Sequence, residues 1–174
     1  SQRTWMRMMT DMLIEGRRVC VPGAVCVIFC DWRQLPALSD AVELGGWSRR
    51  GVIVWDKRNT RPQLGRFRQQ AEFMVWGSLG RLPVDRPAPV LPGVFAFNNV
   101  AGAERIHQAQ KPLELMREIV KICGSGGRVL DPFAGSGTTL LTASLEGHPA
   151  VGIECNPLIA AAAAERLGIQ LEEA

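Results

Sequence analysis

The residues best suited to do chemistry are Asp131-Pro132-Phe133-Ala134-Gly135-Ser136-Gly137-Thr138-Thr139. An acid followed by small residues and two glycines, leading into a helical pattern, lets backbone come close to a ligand at a helix N-terminus. Two common ligand classes fit poorly. A dinucleotide site reads G-x-G-x-x-G, and Leu140 stands at the third glycine, so that position does not provide the closest helix-strand approach. A phosphate-cradling loop ends in Gly-Lys-Ser/Thr, and Gly137 is followed by Thr138. What remains is an acid, Asp131, at a strand end, suited to a ligand carrying an ammonium group rather than a pyrophosphate. Glu154 follows the next apolar strand, where a carboxylate can accept hydrogen bonds from ribose hydroxyls or can simply be a solvated strand-end acid.

A second constellation is electrostatic. The net charge of +3 is unevenly spread: between Arg49 and Arg68 there are seven cations (Arg49, Arg50, Lys57, Arg58, Arg61, Arg66, Arg68) against one acid, Asp56. Such a window is either a solvated basic loop or a phosphate-binding surface. The dominance of arginine favours phosphate and guanine edges, which match the guanidinium fork.

These residues need elements to hold them. Trp5, Met6, Met9, Met12, Leu13 and Ile14 share a helix face, and Gly16 with the Val21-Pro22-Gly23 turn closes that helix. Ala24 to Cys30 reads as a strand buried on both faces. A helix from near Gln34 to Leu44 follows, then short strands at Val52–Trp55 and Glu72–Trp76, candidates for antiparallel neighbours with the arginine-rich loop between them. The segment 77–105 is irregular and rich in Pro and Gly. Pro112 opens a further helix. A strand at Arg128–Leu130, a helix at Thr138–Leu145, a strand at Ala150–Ile153 and a helix at Pro157–Leu167 make a βαβ unit and imply a parallel sheet.

At 47% hydrophobic and 21% charged residues, 174 residues suffice for one globular domain, with the cytoplasm as default location. No apolar run is long enough to span a membrane as a helix. The five cysteines form no CxxC pair and read as reduced thiols, with no metal site expected.

The 131–139 stretch resembles the S-adenosylmethionine motif of amino-methylating DNA methyltransferases. That family carries H-x-x-Q-K-P ahead of the motif, and His107-Gln108-Ala109-Gln110-Lys111-Pro112 stands 19 residues before Asp131. Val21-Pro22-Gly23-Ala24 with its following strand, and Trp55-Asp56-Lys57, are also similar to segments of the family's catalytic domain. The resemblance covers nearly the full chain and is closest to the circularly ordered group, in which the cofactor motif comes last, as in phage, orphan bacterial and restriction-modification enzymes. It implies an α/β, Rossmann-like S-adenosylmethionine-dependent methyltransferase fold, mainly a parallel sheet with an antiparallel strand pair, and S-adenosyl-L-methionine as cofactor. Asp131, Phe133, Ala134, Gly135, Ser136 and Gly137 would line the methionine end, with Thr138 and its helix N-terminus nearby. Glu154 would bind the ribose and Cys155 would lie against the adenine. Gln110, Lys111 and Pro112 would complete the pocket from the other side, although Pro112 reads equally well as a helix starter. Double-stranded DNA is the implied partner, met by Lys57, Arg58, Arg61, Arg66 and Arg68, with a homodimer left open as the assembly.

The family's catalytic tetrapeptide, D/N/S-P-P-Y/F, holds the extruded base, and no Pro-Pro occurs in these residues. Catalytic residues are therefore unassigned. In this motif order the tetrapeptide precedes the Trp5 helix, so the expectation is a single methyltransferase domain, N-terminally incomplete, with 77–105 as a target-recognition insertion. The implied reaction is in-line methyl transfer to an exocyclic base amine, adenine N6 ahead of cytosine N4 on family frequency. The absence of a Pro-Cys dipeptide argues against carbon-5 methylation. The alternatives are a non-catalytic subunit that binds cofactor and DNA, and a methylase of RNA or a small molecule.

Overall fold

The computed structural model describes residues 1–100 and 111–172. The chain folds into two compact units, one of Ser1–Arg86 with Pro92–Ala96, the other of Pro87–Leu91 with the chain from Phe97 onward.

In the first unit, helix α1 (Gln2–Val19) is capped by Ser1, whose Oγ accepts from the Thr4 amide at 3.3 Å, and ends with Arg17 and Arg18 facing the negative helix end. It runs past Gly16, where the sequence suggests a stop, because one helical glycine costs only about 1 kcal/mol. Met9 and Leu13 are buried with Leu38, Ala41 and Val42 of α2 (Leu35–Leu44). At the end of α2, a Cβ on Gly45 would stand 2.6 Å from Leu13 Cβ, so the missing side chain lets the two helices close up. The Trp47 indole N–H donates to the Leu13 carbonyl at 2.9 Å, satisfying both buried groups.

Strands β1 (Val25–Cys30), β2 (Ser48–Lys57), β3 (Ala71–Ser78) and β4 (Val94–Phe97) form a sheet in the order β1-β3-β2-β4. The antiparallel pair expected from the sequence is present, with Val52 opposite Val75 and Trp55 opposite Glu72. Strand β1 departs from its expected burial on both faces. Among the described residues its pairing is antiparallel, with β3, and only Cys30 of its six residues is fully buried. An apolar run gives strand length but not strand surroundings. Residues 101–105 of the segment 77–105 lie outside the described residues; within 77–100 the expected irregularity is interrupted by β4, too short to show a period between Gly93 and Asn98. Its Phe95 is buried, and Val54 N donates to Gly93 O at 2.9 Å.

The second unit holds α3 (Leu113–Val120), β5 (Val129–Asp131), α4 (Thr138–Leu145), β6 (Ala150–Gly152) and α5 (Pro157–Leu167). Strands β5 and β6 are parallel, with Asp131 opposite Gly152, as a βαβ unit requires. Leu115, Met116, Ile119 and Val120 bury one face of α3, which packs on α4, and Arg117 reaches Glu146 beyond the end of α4 at 2.7 Å. Pro112 is the N-cap rather than the first helical residue; its carbonyl accepts from Met116 N at 3.1 Å. His148 is buried with Nδ1 3.1 Å from the Gly127 carbonyl.

None of the five cysteines forms a disulfide in the described structure, and burial pushes Cys26 and Cys30 up to about 11, leaving neutral thiols. Among the described residues no group of three His, Cys, Asp or Glu could hold a metal ion, and no helix is long and apolar enough to cross a membrane.

Candidate cofactor site and nucleic-acid interface

Parallel pairing carries β5 and β6 to a common end, and there the chain makes a tight clasp. Asp131 Oδ1 accepts from Phe133 N at 3.0 Å, folding the chain back just after β5. Ala134 N donates to Ile153 O at 2.9 Å, and Gly137 N donates to Ala134 O at 2.8 Å. Glu154, just after β6, reaches across: Oε2 accepts from Gly135 N at 3.1 Å, and Oε1 accepts from Asn156 N at 2.8 Å. One carboxylate thus ties together the glycine turn and the start of α5. Gly135 and Gly137 have φ of +52° and +77°, a region that disfavours any side chain.

The clasp leaves room and donors. Among the described residues a Cβ at Gly135 would meet only the Phe133 carbonyl, at 3.9 Å, so that side of the turn is open to a ligand as far as these residues go. Among the described residues no side chain caps the N-terminus of α4, so its first-turn amides are available to an acceptor. A carboxylate has about four lone-pair sites, so Asp131 and Glu154 keep acceptor capacity beyond their internal bonds. Phe133 and Ile153 are more than half exposed beside the turn, apolar surfaces available to a ligand. These residues fit a ligand with an ammonium, a carboxylate and a ribose.

The close helix-strand approach that Leu140 does not provide as a glycine would is made from the other side. A Cβ on Gly152 would lie 2.7 Å from Leu140 Cδ1 and 2.8 Å from Ala134 Cβ, so the glycine that permits the approach is on β6. Gly152→Ala must displace Ala134 and with it the turn. The expected result is a loss of about 1–3 kcal/mol, read from the denaturant midpoint; an unchanged midpoint would remove Gly152 from this role.

Asp131, Phe133, Ala134, Gly135, Ser136, Gly137, Thr138, Glu154 and Cys155 come together at this one strand end. Thr138 is buried, with its hydroxyl 3.4 Å from Ser136 Oγ, and Cys155 is exposed, with Sγ 3.7 Å from Glu154 Oε1. Pro112 is buried as the α3 cap, Lys111 precedes it, and Gln110 lies outside the described residues. Three contributors escape a reading of the sequence alone. Gly152 carries a signal, being an isolated glycine in a strand. So does Asn156, an N-cap ahead of Pro157, whose Oδ1 accepts from Leu158 N at 3.0 Å. Arg166, which donates to the Ser136 carbonyl at 2.9 Å, carries none.

The basic window divides in two. Arg49 pairs with Glu43 at 3.3 Å, and Arg50 donates to Ser78 Oγ and the Gly80 carbonyl at 2.9 and 3.0 Å. Lys57 belongs with the DNA-facing cations on sequence, but its Nζ sits 2.9 Å from Glu72, with both side chains about four-fifths buried, and 5.4 Å from the Trp55 ring centroid. Its charge is already met. Arg58, Arg61, Arg66 and Arg68 remain, exposed on the β2–β3 loop, and among the described residues none of them has an ion-pair partner. Arg66 makes one long hydrogen bond, 3.4 Å to Gln63 Oε1.

Comparison with known proteins agrees with this geometry. The chain is 34% identical over 154 residues to the type II methyltransferase M.XycI of Xanthomonas campestris pv. cyanopsidis, covering 78% of this chain and 48% of that protein. The chain spans less than two thirds of the length of the curated relatives it matches. The crystal structure of an M1.HpyAVI–SAM complex superposes with a TM-score of 0.78 at 28% identity, over 92% of this chain and 82% of that one. The cytosine-N4-specific PvuII DNA methyltransferase shares the fold, with a TM-score of 0.79 over 99% of this chain and 73% of that one, at 17% identity. The architecture is therefore the α/β fold of S-adenosylmethionine-dependent DNA methyltransferases. With the N6/N4 DNA methylase family model matching residues 1–165, from the α1 helix to the last turns of α5, the chain belongs to that family.

Proposed function

We propose that the glycine turn binds S-adenosyl-L-methionine and that this chain is the cofactor-binding and DNA-facing part of an enzyme that methylates an exocyclic amine in duplex DNA. The observation that carries the reading is the pair of carboxylates, Asp131 and Glu154, at adjacent parallel strand ends around one glycine turn. The complex of M1.HpyAVI with SAM supports the same ligand here. When bound, the cofactor supplies an electrophilic methyl group on a sulfonium. Asp131 accepts from its ammonium, the uncapped start of α4 meets its carboxylate, and Glu154 accepts from its ribose. Phe133, Ala134, Gly135, Ser136, Gly137 and Thr138 would shape the methionine end, Cys155 would lie at the adenine, and Lys111 and Pro112 would close the other side, a role that falls to Gln110 too, outside the described residues.

Arg58, Arg61, Arg66 and Arg68 take DNA phosphates, and 77–105 contributes to target recognition. Adenine N6 stands ahead of cytosine N4 on family frequency, although the PvuII enzyme with this fold is cytosine-N4-specific. Sequencing genomic DNA for modified bases, with and without the gene, tests the methylation reading. The expected difference is N6-methyladenine at one short motif. N4-methylcytosine instead would correct the base, and no difference would sink the catalytic reading. Exchange of 77–105 with a related enzyme's segment is expected to change the motif; an active chimera that keeps the original motif would count against that role.

The second reading is a non-catalytic subunit of a methyltransferase complex, which would bind cofactor and DNA without the family's Pro-Pro tetrapeptide. The coding sequence ahead of Ser1 discriminates the two.

A further inference from the structure

The β2–β3 loop carries more than charge. Leu64 and Phe67 stand entirely in solvent, at 104% and 95% exposure. Arg66 N donates to Gln63 O at 3.4 Å, closing a turn at Gln63–Arg66, and Gly65 within it has φ +70° with nothing among the described residues within 4 Å of a Cβ position. The turn therefore projects, with Leu64 in it and Phe67 one residue beyond it. Phe67 stands between Arg66 and Arg68, with Arg58 and Arg61 on the same loop. One exposed apolar side chain on a surface is ordinary. Two fully exposed ones three residues apart on one loop, among four arginines without ion-pair partners in the described residues, are not explained by solubility.

We propose that Leu64 and Phe67 form an apolar wedge that enters the base stack of duplex DNA while the arginines around them hold phosphates. The charge selects an acidic polymer, and the apolar tip finds its complement in that polymer's base stack and not in its backbone. Inserted apolar side chains are a known means of unstacking a base step. An enzyme acting on a base amine must take that base out of the stack, and opening a base step is what an inserted apolar side chain does. The inference rests on the duplex-DNA reading above.

The test uses the intact protein with cofactor and a duplex bearing 2-aminopurine beside the base that genomic sequencing identifies as modified. Wild type is expected to raise the fluorescence on binding. The double variant L64A/F67A is expected to lose most of that rise and to methylate the paired target about tenfold or more slowly. A mismatch at the target, which unstacks it in advance, should restore the variant to within about threefold of wild type. F67W should keep the wild-type response. The slope of binding against salt should stay the same in all variants, because every arginine that meets a phosphate is still in place. A double variant with full fluorescence rise and rate, or one that the mismatch does not rescue, overturns the wedge alone. Wild-type protein that fails to bind the duplex overturns the DNA reading, and the wedge with it.

Discussion

Asp131→Asn and Glu154→Gln, each made in the intact protein, are expected to weaken S-adenosylmethionine binding about ten- to a hundredfold, the range for losing a hydrogen bond to a charged group. These variants are more informative than alanine because of the internal bonds each carboxylate makes. Asp131 Oδ1 holds Phe133 N, and an asparagine oxygen can still do so, so the loss isolates the charge offered to the ligand ammonium. Glu154 uses both oxygens, on Gly135 N and Asn156 N. Glutamine keeps one of these acceptors and gives up the other, so Glu154→Gln should lower stability as well as affinity, whereas Asp131→Asn should lower affinity alone. Calorimetry for binding and denaturant midpoints for stability separate the two effects. Unchanged affinity in both variants would reduce these residues to strand-end acids.

The ordering of elements in the second unit is legible in the sequence because each element has a local cause. Asn156-Pro157 starts α5, glycines at positive φ bracket α4, and α4 and α5 run over the expected residues. The clasp is half legible. Asp131 and Glu154 are recognisable as acids after successive strands, but the bond from Gly135 N to Glu154 spans 19 residues and follows from strand pairing, which no local pattern encodes. The same limit hides the role of Gly152, since the side chains it admits, Leu140 and Ala134, belong to the neighbouring helix and turn. Strand β1 shows the reverse error. Its apolar run reads as buried on both faces, while its antiparallel pairing with β3 depends on a partner more than 40 residues away. Charge is the least legible property. Seven cations look alike in a sequence, while three of them are tied down by Glu43, by Ser78 with Gly80, and by Glu72.

That division of the basic window predicts different outcomes for cations that sequence alone treats as equivalent. Replacing Arg58, Arg61, Arg66 and Arg68 together is expected to flatten the log-log dependence of DNA binding on salt by about 3.6, from roughly 0.9 for each phosphate left without its arginine. All four are exposed, so stability should be nearly unaffected. Lys57→Met should do the opposite. Its ammonium faces Glu72 and the Trp55 ring, not solvent, so removing it releases no DNA counterion and leaves the slope as it was. It does take from the Glu72 carboxylate, about four-fifths buried, the cation that stands 2.9 Å away, and that should lower the unfolding free energy by about 1–3 kcal/mol. Salt titrations of binding and denaturant unfolding on the same two proteins read both quantities. A slope unmoved by the four-arginine replacement would make the loop merely solvated, and a slope that falls with Lys57→Met would return Lys57 to the DNA surface.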